Sequence, residues 1–334
     1  MQQFNNITIQ QIFKSFNNLN VLIIGDVMID TYVWGNVNRI SPEAPVPIVS
    51  ITKKENRLGG AANVALNIQA MGANPILCSV IGNDDGSKVF IDLLKKQKLS
   101  SDGILKSKTR ITTIKTRVIG GNHQMLRVDE EIESCVNTDE TNALSEKIKI
   151  LVTSKKADVI IFEDYDKGCI TPQLIKNIVA FAKQNNVPVV VDPKKKNFMA
   201  YNGVTLFKPN LKELKEGLAV DFDPDNRKEL EKIAADFIKK QNIKSVLITL
   251  SEKGLYIHSA STKVIIPAHV RNISDVSGAG DTVISLAALC LALNLSPVIT
   301  ATLANLAGGL VCEKVGVVPI DKKQLLDEAI RLKL

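Results

Sequence analysis

Little in this chain could stack on a nucleic-acid base. Aromatic residues make up 4% of its 334 positions, with one tryptophan. Nucleic-acid binding is therefore disfavoured despite a net charge of +7, which suits an anionic small-molecule substrate better. The three histidines, His123, His258 and His269, lie far apart, and no Cys/His grouping has the spacing of a structural zinc site. The five cysteines (78, 135, 169, 290 and 312) form no C-x-x-C pair and read as reduced residues of a cytosolic protein. The first twenty residues are polar and broken by Asn and Gln, unlike a signal peptide. The apolar run 283–293 is too short to span a bilayer, and no G-x-S-x-G elbow supports a hydrolytic triad. These absences together predict a soluble, cytoplasmic protein bound to neither membrane nor nucleic acid.

What the chain has instead is buried-strand sequence. Apolar, β-branched runs recur at 21–25, 75–82, 158–164, 187–193, 204–210 and 245–250, with helical patterns between several of them, as at 61–72 and 227–242. Continuous apolarity predicts strands covered on both faces, hence an α/β fold: a doubly wound, mostly parallel sheet flanked by helices. One domain over 1–334 accommodates it. Two β-rich segments break the rhythm: 31–52, rich in proline, and 109–129, which reads as a hairpin around Gly120-Gly121-Asn122. Both suit a small β-sheet lid over the end of the main sheet.

In such folds ligands bind beyond the carboxyl ends of the strands. The stretch "ISDVSGAGDTVISLAALCLAL" (273–293) puts Asp275 and Asp281 around glycines where an apolar helix begins. A glycine-rich helix start gathers backbone N–H groups and the positive end of the helix dipole, which together cradle phosphate. Asp281 is then the candidate base, with Gly278, Ala279 and Gly280 as the anion hole for phosphoryl transfer, held ionised in the first turn. Capping by Asp275 or Ser277 is the plainer alternative. The segment 81–88, "IGNDDGSK", has the wrong glycine spacing for a P-loop and reads as a turn opening a helix. In 57–73, Gly59, Gly60 and Asn63 form a second cluster, with helix packing by Ala61, Ala62 and Ala65 as its plainer reading.

"GGAANVA" (59–65), "NLKE" (210–213) and "DVSGAGDT" (275–282) resemble, in order, three motifs of the PfkB, or ribokinase-like, sugar kinases. The segments 21–49 and 58–73, with "MLRVDEE" and "YDKG", are similar to the heptose 7-phosphate kinase branch of ADP-heptose synthesis. The resemblance implies transfer of phosphate from ATP, with Mg²⁺, to the anomeric hydroxyl of D-glycero-β-D-manno-heptose 7-phosphate, for lipopolysaccharide core synthesis. A monovalent cation is left open. It implies Asp281 as base and an ATP site around Asn210, Leu211, Lys212, Glu213, Thr249 and Gly254, with Glu213 acting on the metal through water. Asp30, Gly59, Gly60 and Asn63 match sugar-binding positions. Lys194 is a candidate phosphate contact, and Arg39, Lys115, Arg117, Arg127 and Lys167 compete for the distal phosphate. The resemblance further implies a homodimer through the lid and a kinase-only form, with a separate adenylyltransferase in the same pathway. Another sugar or sugar phosphate, or a nucleoside, as acceptor is the alternative; a non-catalytic sugar- or nucleotide-binding regulator is the more distant one.

Overall fold

Alternate residues of the apolar runs face opposite ways, and each face meets its own layer of helices. Val21 and Ile23 join one core while Leu22 and Ile24 join the other, and the same division holds for Ile161 against Phe162 and for Leu247 against Val246. In the computed structural model the described residues are 8–121, 123–269 and 271–334. In chain order the strands are β1 (Asn20–Gly25), β2 (Val27–Ile40), β3 (Pro47–Gly60), β4 (Asn74–Gly82), β5 (Gly103–Ser107), β6 (Ile114–Gly120) and β7 (His123–Glu130). They continue as β8 (Val159–Glu163), β9 (Val189–Asp192), β10 (Leu206–Phe207), β11 (Ser245–Thr249), β12 (Leu255–Ser259) and β13 (Lys263–Ile266). A nine-stranded sheet runs β13-β12-β11-β10-β9-β8-β1-β4-β5, parallel except where β12 and β13 turn back at one edge. The expected doubly wound, mostly parallel sheet is thus borne out.

Helices α1 (Ile9–Ser15), α2 (Ala61–Ala70) and α3 (Asp85–Lys96) pack on one face of the sheet, and α4 (Thr138–Ser154), α5 (Pro172–Gln184), α6 (Leu211–Leu218) and α7 (Arg227–Gln241) on the other. The first face is completed by α8 (Ala279–Ala292), α9 (Pro297–Val311) and α10 (Lys322–Arg331). Helix α8 is apolar nearly all round because α2, α9 and the sheet enclose it. No described helix is long and apolar enough to cross a membrane.

A second sheet, β3-β2-β6-β7, forms the lid. It is longer than 31–52 and 109–129 suggest: β2 starts at Val27, and β3 continues to Gly60, which is the N-cap of α2. Gly60 has φ +61°, and a side chain there would strike the Asp26 carbonyl, so glycine is required where lid becomes helix. Residues 109–113 lie outside the lid strands; Thr112 is bound there by Asp84, which also caps α3. Asn122 of the expected hairpin turn lies outside the described residues. The expected strand 204–210 shortens to two residues, since Pro209 has no N–H to continue the ladder.

Candidate active site

Helix α8 brings its first turn to the carboxyl ends of β8 and β9. Its N-cap is Gly278 at φ +80°, with no side chain capping it. A side chain at 278 would crowd Val317 and the Asn63 amide. Asp275 is not the cap: it accepts from the N–H groups of Ser277 (2.9 Å) and Gly316 (3.0 Å) and ties two loops together. Ala279 donates its own N–H to the Val276 carbonyl (3.3 Å), so in the expected anion hole the free donors of the first turn are those that follow it.

Asp281 is 7% exposed, and both its oxygens are engaged. Asn63 Nδ2 donates to Oδ2 at 2.5 Å, and the Tyr165 hydroxyl donates to Oδ1 at 2.8 Å. Two clusters 218 residues apart thus meet at one carboxylate. Asp281 is expected to be held ionised, and its surroundings set the pH at which that holds. Burial pushes it up to about 6, against the Asn63 and Tyr165 hydrogen bonds, with Asp192 raising it and Lys208 lowering it. A carboxylate titrating there is a stronger base than an exposed one, yet ionised at neutral pH.

Beside it opens a cavity of about 770 Å³. Asp281, Gly280, Asn210, Glu213, Thr249 and Gly254 all line it, as does Lys194. Leu211 and Lys212 do not. Leu211 packs into the core beneath α6 and Lys212 reaches into solvent towards Glu216, because the helix turns both away. The N-x-x-E element is a capping box: Asn210 Oδ1 accepts from the Glu213 N–H, and Glu213 Oε2 accepts from the Asn210 N–H, both at 2.8 Å. Glu213 Oε1 takes Lys194 Nζ at 2.5 Å. Burial pulls the Lys194 ammonium down, but Asp192 and Glu213 outweigh it and leave its pKa raised, so the charge persists. Lys208, 2% exposed, sits 2.6 Å from Asp192 Oδ2.

Of the sugar-matched residues, Asp30, Gly59 and Gly60 lie on the lid strands while Asn63 stands on α2 at Asp281, and none of the four lines the cavity. Asp30 on β2 pairs with Arg117 on β6 at 2.5 Å, and Gly59 rests against the same carboxylate. Gly59 and Gly60 therefore give room first to protein atoms. Lys115 bonds Asp129 (3.0 Å) and Glu131 (2.7 Å), while Lys167 bonds Glu131 (2.8 Å) and Glu133 (2.6 Å). Arg127 reaches Asp129 from an exposed position, and Arg39 is exposed near the far end of β2.

The description "pfkB family carbohydrate kinase" matches residues 18–323. The chain belongs to that family. Among relatives of this kinase, the bifunctional protein HldE of Koribacter versatilis is 39% identical over 92% of this chain and 62% of its own length. That of Pelobacter propionicus is 35% identical over 96% of this chain and 65% of its own. The kinase thus spans less than two thirds of these relatives. In fold, it is similar to Escherichia coli phosphofructokinase-2 in complex with potassium: TM-score 0.76 and 16% identity, over 95% of this chain and 99% of the other. Arabidopsis thaliana ribokinase complexed with ribose and ATP gives 0.68 and 16%, over 92% and 98%.

The kinase's cavity suits a metal ion carried mainly by phosphate oxygens and water. No three His, Cys, Asp or Glu side chains among the described residues converge as a metal cage. Two buried carboxylate oxygens, Glu163 Oε2 and Asp192 Oδ1, nonetheless lack a hydrogen-bond partner, and both residues line the cavity. Burial, then Asp192 and Asp281, push Glu163 well above the usual carboxylate range.

The sequence offers Tyr165, Glu163, Lys208 and Asp26 only as polar residues that follow strands, with no role assigned to any of them. The Asp26 carboxylate, at the end of β1, accepts the N–H groups of Tyr165 (3.0 Å), Lys167 (3.1 Å) and Cys169 (2.9 Å). Their signal is their place just after a buried strand and, for Tyr165, the stretch "YDKG" that it opens.

Proposed function

We propose that this kinase transfers the γ-phosphoryl group of ATP to the anomeric hydroxyl of D-glycero-β-D-manno-heptose 7-phosphate. The observation that carries this reading is the meeting of Asn63 and Asp281, within a chain 33–39% identical to bifunctional HldE proteins over most of its length. Asp281 takes the proton of the acceptor hydroxyl, and that oxygen attacks the γ-phosphorus. The bond from phosphorus to the bridging oxygen breaks, and ADP leaves. The N–H groups at the start of α8 and the Lys194 ammonium stabilise the transferring group. Mg²⁺, held by the nucleotide phosphates, would offset phosphate charge; Asp192 and Glu163 would reach its water shell directly, and Glu213 only by sharing oxygens already bonded to Lys194 and Asn210.

Asp30, Gly59 and Gly60 would hold sugar hydroxyls. The distal phosphate would be met by Lys115, Arg117 and Arg127, each of which must first exchange a carboxylate partner. The reaction belongs in the cytoplasm with its ATP, in a pathway that also uses an adenylyltransferase. The test is ADP release with Mg²⁺-ATP on the heptose phosphate, fructose 6-phosphate, ribose and adenosine. We expect kcat/KM at least tenfold higher for the heptose phosphate, the scale that one well-placed charged contact supplies. Preference for another acceptor would overturn the substrate but leave the chemistry standing.

The lid would also join two copies of the chain. Its edge strands β3 and β7 carry exposed apolar side chains, Ile51 at 65% and Leu126 at 58%, and open edges with such residues invite pairing. Sedimentation velocity is expected to give a dimer that Leu126→Glu splits into monomers. A monomeric wild type would rule this out.

A further inference from the structure

The segment between β8 and α5 wraps around one buried carboxylate. Asp26 gathers three of its N–H groups and fixes the backbone from Tyr165 to Cys169, with Asp166 in the left-handed region at φ +55°. Held this way, the Tyr165 ring borders the cavity, 5.7 Å from Lys194 Nζ. Its hydroxyl is committed to the single carboxylate at the entrance of α8. Any acceptor would have satisfied a half-buried phenol; this one bears on the chemistry.

Resting on the reading of Asp281 as the base, we propose that Tyr165 is a positioning residue: its hydroxyl holds Asp281 Oδ1 while Asn63 holds Oδ2, so the carboxylate keeps one orientation with lone pairs left for the acceptor hydroxyl. Without the phenol, one oxygen loses its fixed partner and the carboxylate is free to turn about its last bond. Misalignment of this size costs rate more than binding. The loss also changes titration. The groups facing Asp281 are Asn63 from α2, Glu163 and Tyr165 from β8 and the segment after it, Asp192 from β9, and Lys208 beyond β10. Helix α9 contributes none, having no titratable residue. Tyr165 and Asn63 favour the ionised form, Lys208 does so by charge, and Asp192 and Glu163 oppose it. Removing one donor therefore moves the carboxyl further up.

Tyr165→Phe keeps the ring and deletes the donor. We expect kcat to fall roughly tenfold at neutral pH with KM for ATP nearly unchanged, and the acid limb of kcat/KM to move up by about one unit. Independently of turnover, the carbon-13 carboxyl resonance of Asp281, identified by its absence in Asp281→Asn, should titrate higher by the same amount. An unmoved carboxyl titration would overturn the proposal, as would a moved titration with unchanged kcat. Wild-type protein that turns over no acceptor would instead overturn the functional reading and the positioning role with it.

Discussion

Asp281→Asn is expected to lower kcat by roughly 10³-fold while leaving ATP binding within about twofold. The side chain keeps its shape and loses the ability to take a proton. Because burial lifts the wild-type carboxyl to about 6, it is ionised, and able to serve as the proposed base, above that pH and protonated below it. Wild-type kcat/KM should thus rise through pH 6 to a plateau, and sit at about one tenth of the plateau near pH 5. The variant's residual rate should lack this limb. Coupled assay of ADP release between pH 5 and 8.5 measures both. An acid limb that survives in Asp281→Asn would assign it to another group, and a variant retaining more than a tenth of the activity would remove Asp281 as the base.

Lys208→Met is expected to destabilise the fold strongly. The ammonium lies almost wholly inside the protein against Asp192, with Glu163 nearby. Burial alone would pull its pKa down, but Asp192 and Glu213 raise it, so the lysine stays charged across the whole neutral range and its stabilisation is present there. Removing it leaves the buried Asp192 with only the longer Lys194 contact at 3.6 Å, a loss of about 3 kcal/mol. For a chain of this size that is a drop in Tm on the order of 10 °C. The deficit should shrink at acidic pH, because Glu163 is already raised and can take a proton in place of the lost cation. Differential scanning calorimetry at pH 8 and pH 5.5 decides it. Asp192→Asn added to Lys208→Met should recover part of the loss at pH 8. A single variant as stable as wild type, or a double no better than the single, would rule out a buried charge pair.

The architecture was legible because two-sided burial leaves a mark in every strand: "VLIIG" and "VIIFE" have no polar side to expose. Gly278, Asp281 and Asn63 were legible as unusual residues in close order at helix starts, and the structure brings Asn63 to Asp281. Tyr165 was not, since its hydroxyl reaches Asp281 across 116 residues and nothing periodic in the chain records such a contact. Asp26 was visible as an acid after β1, but its role was not: it acts on backbone N–H groups, which every sequence supplies. The N-x-x-E element was readable as a motif but not as a capping box, because the helix it opens spans only Leu211–Leu218 and carries a glycine. Leu211 and Lys212 were carried along by adjacency, although a helix turns consecutive residues away from one another.

Tyr165 and Lys167 stand two residues apart, one on the base and the other in the ion-pair cluster with Glu131 and Lys115 at the outlet of the lid. Asp26 clamps the amides of both. A short chain of contacts thus joins the end of β7 to Asp281. With acceptor choice in the lid and proton removal at Asp281, as proposed, a lid substitution that admits a new acceptor would also perturb turnover on the old one. Acceptor choice and rate would then be inherited together, with the Lys115–Glu131–Lys167 linkage kept or replaced whole.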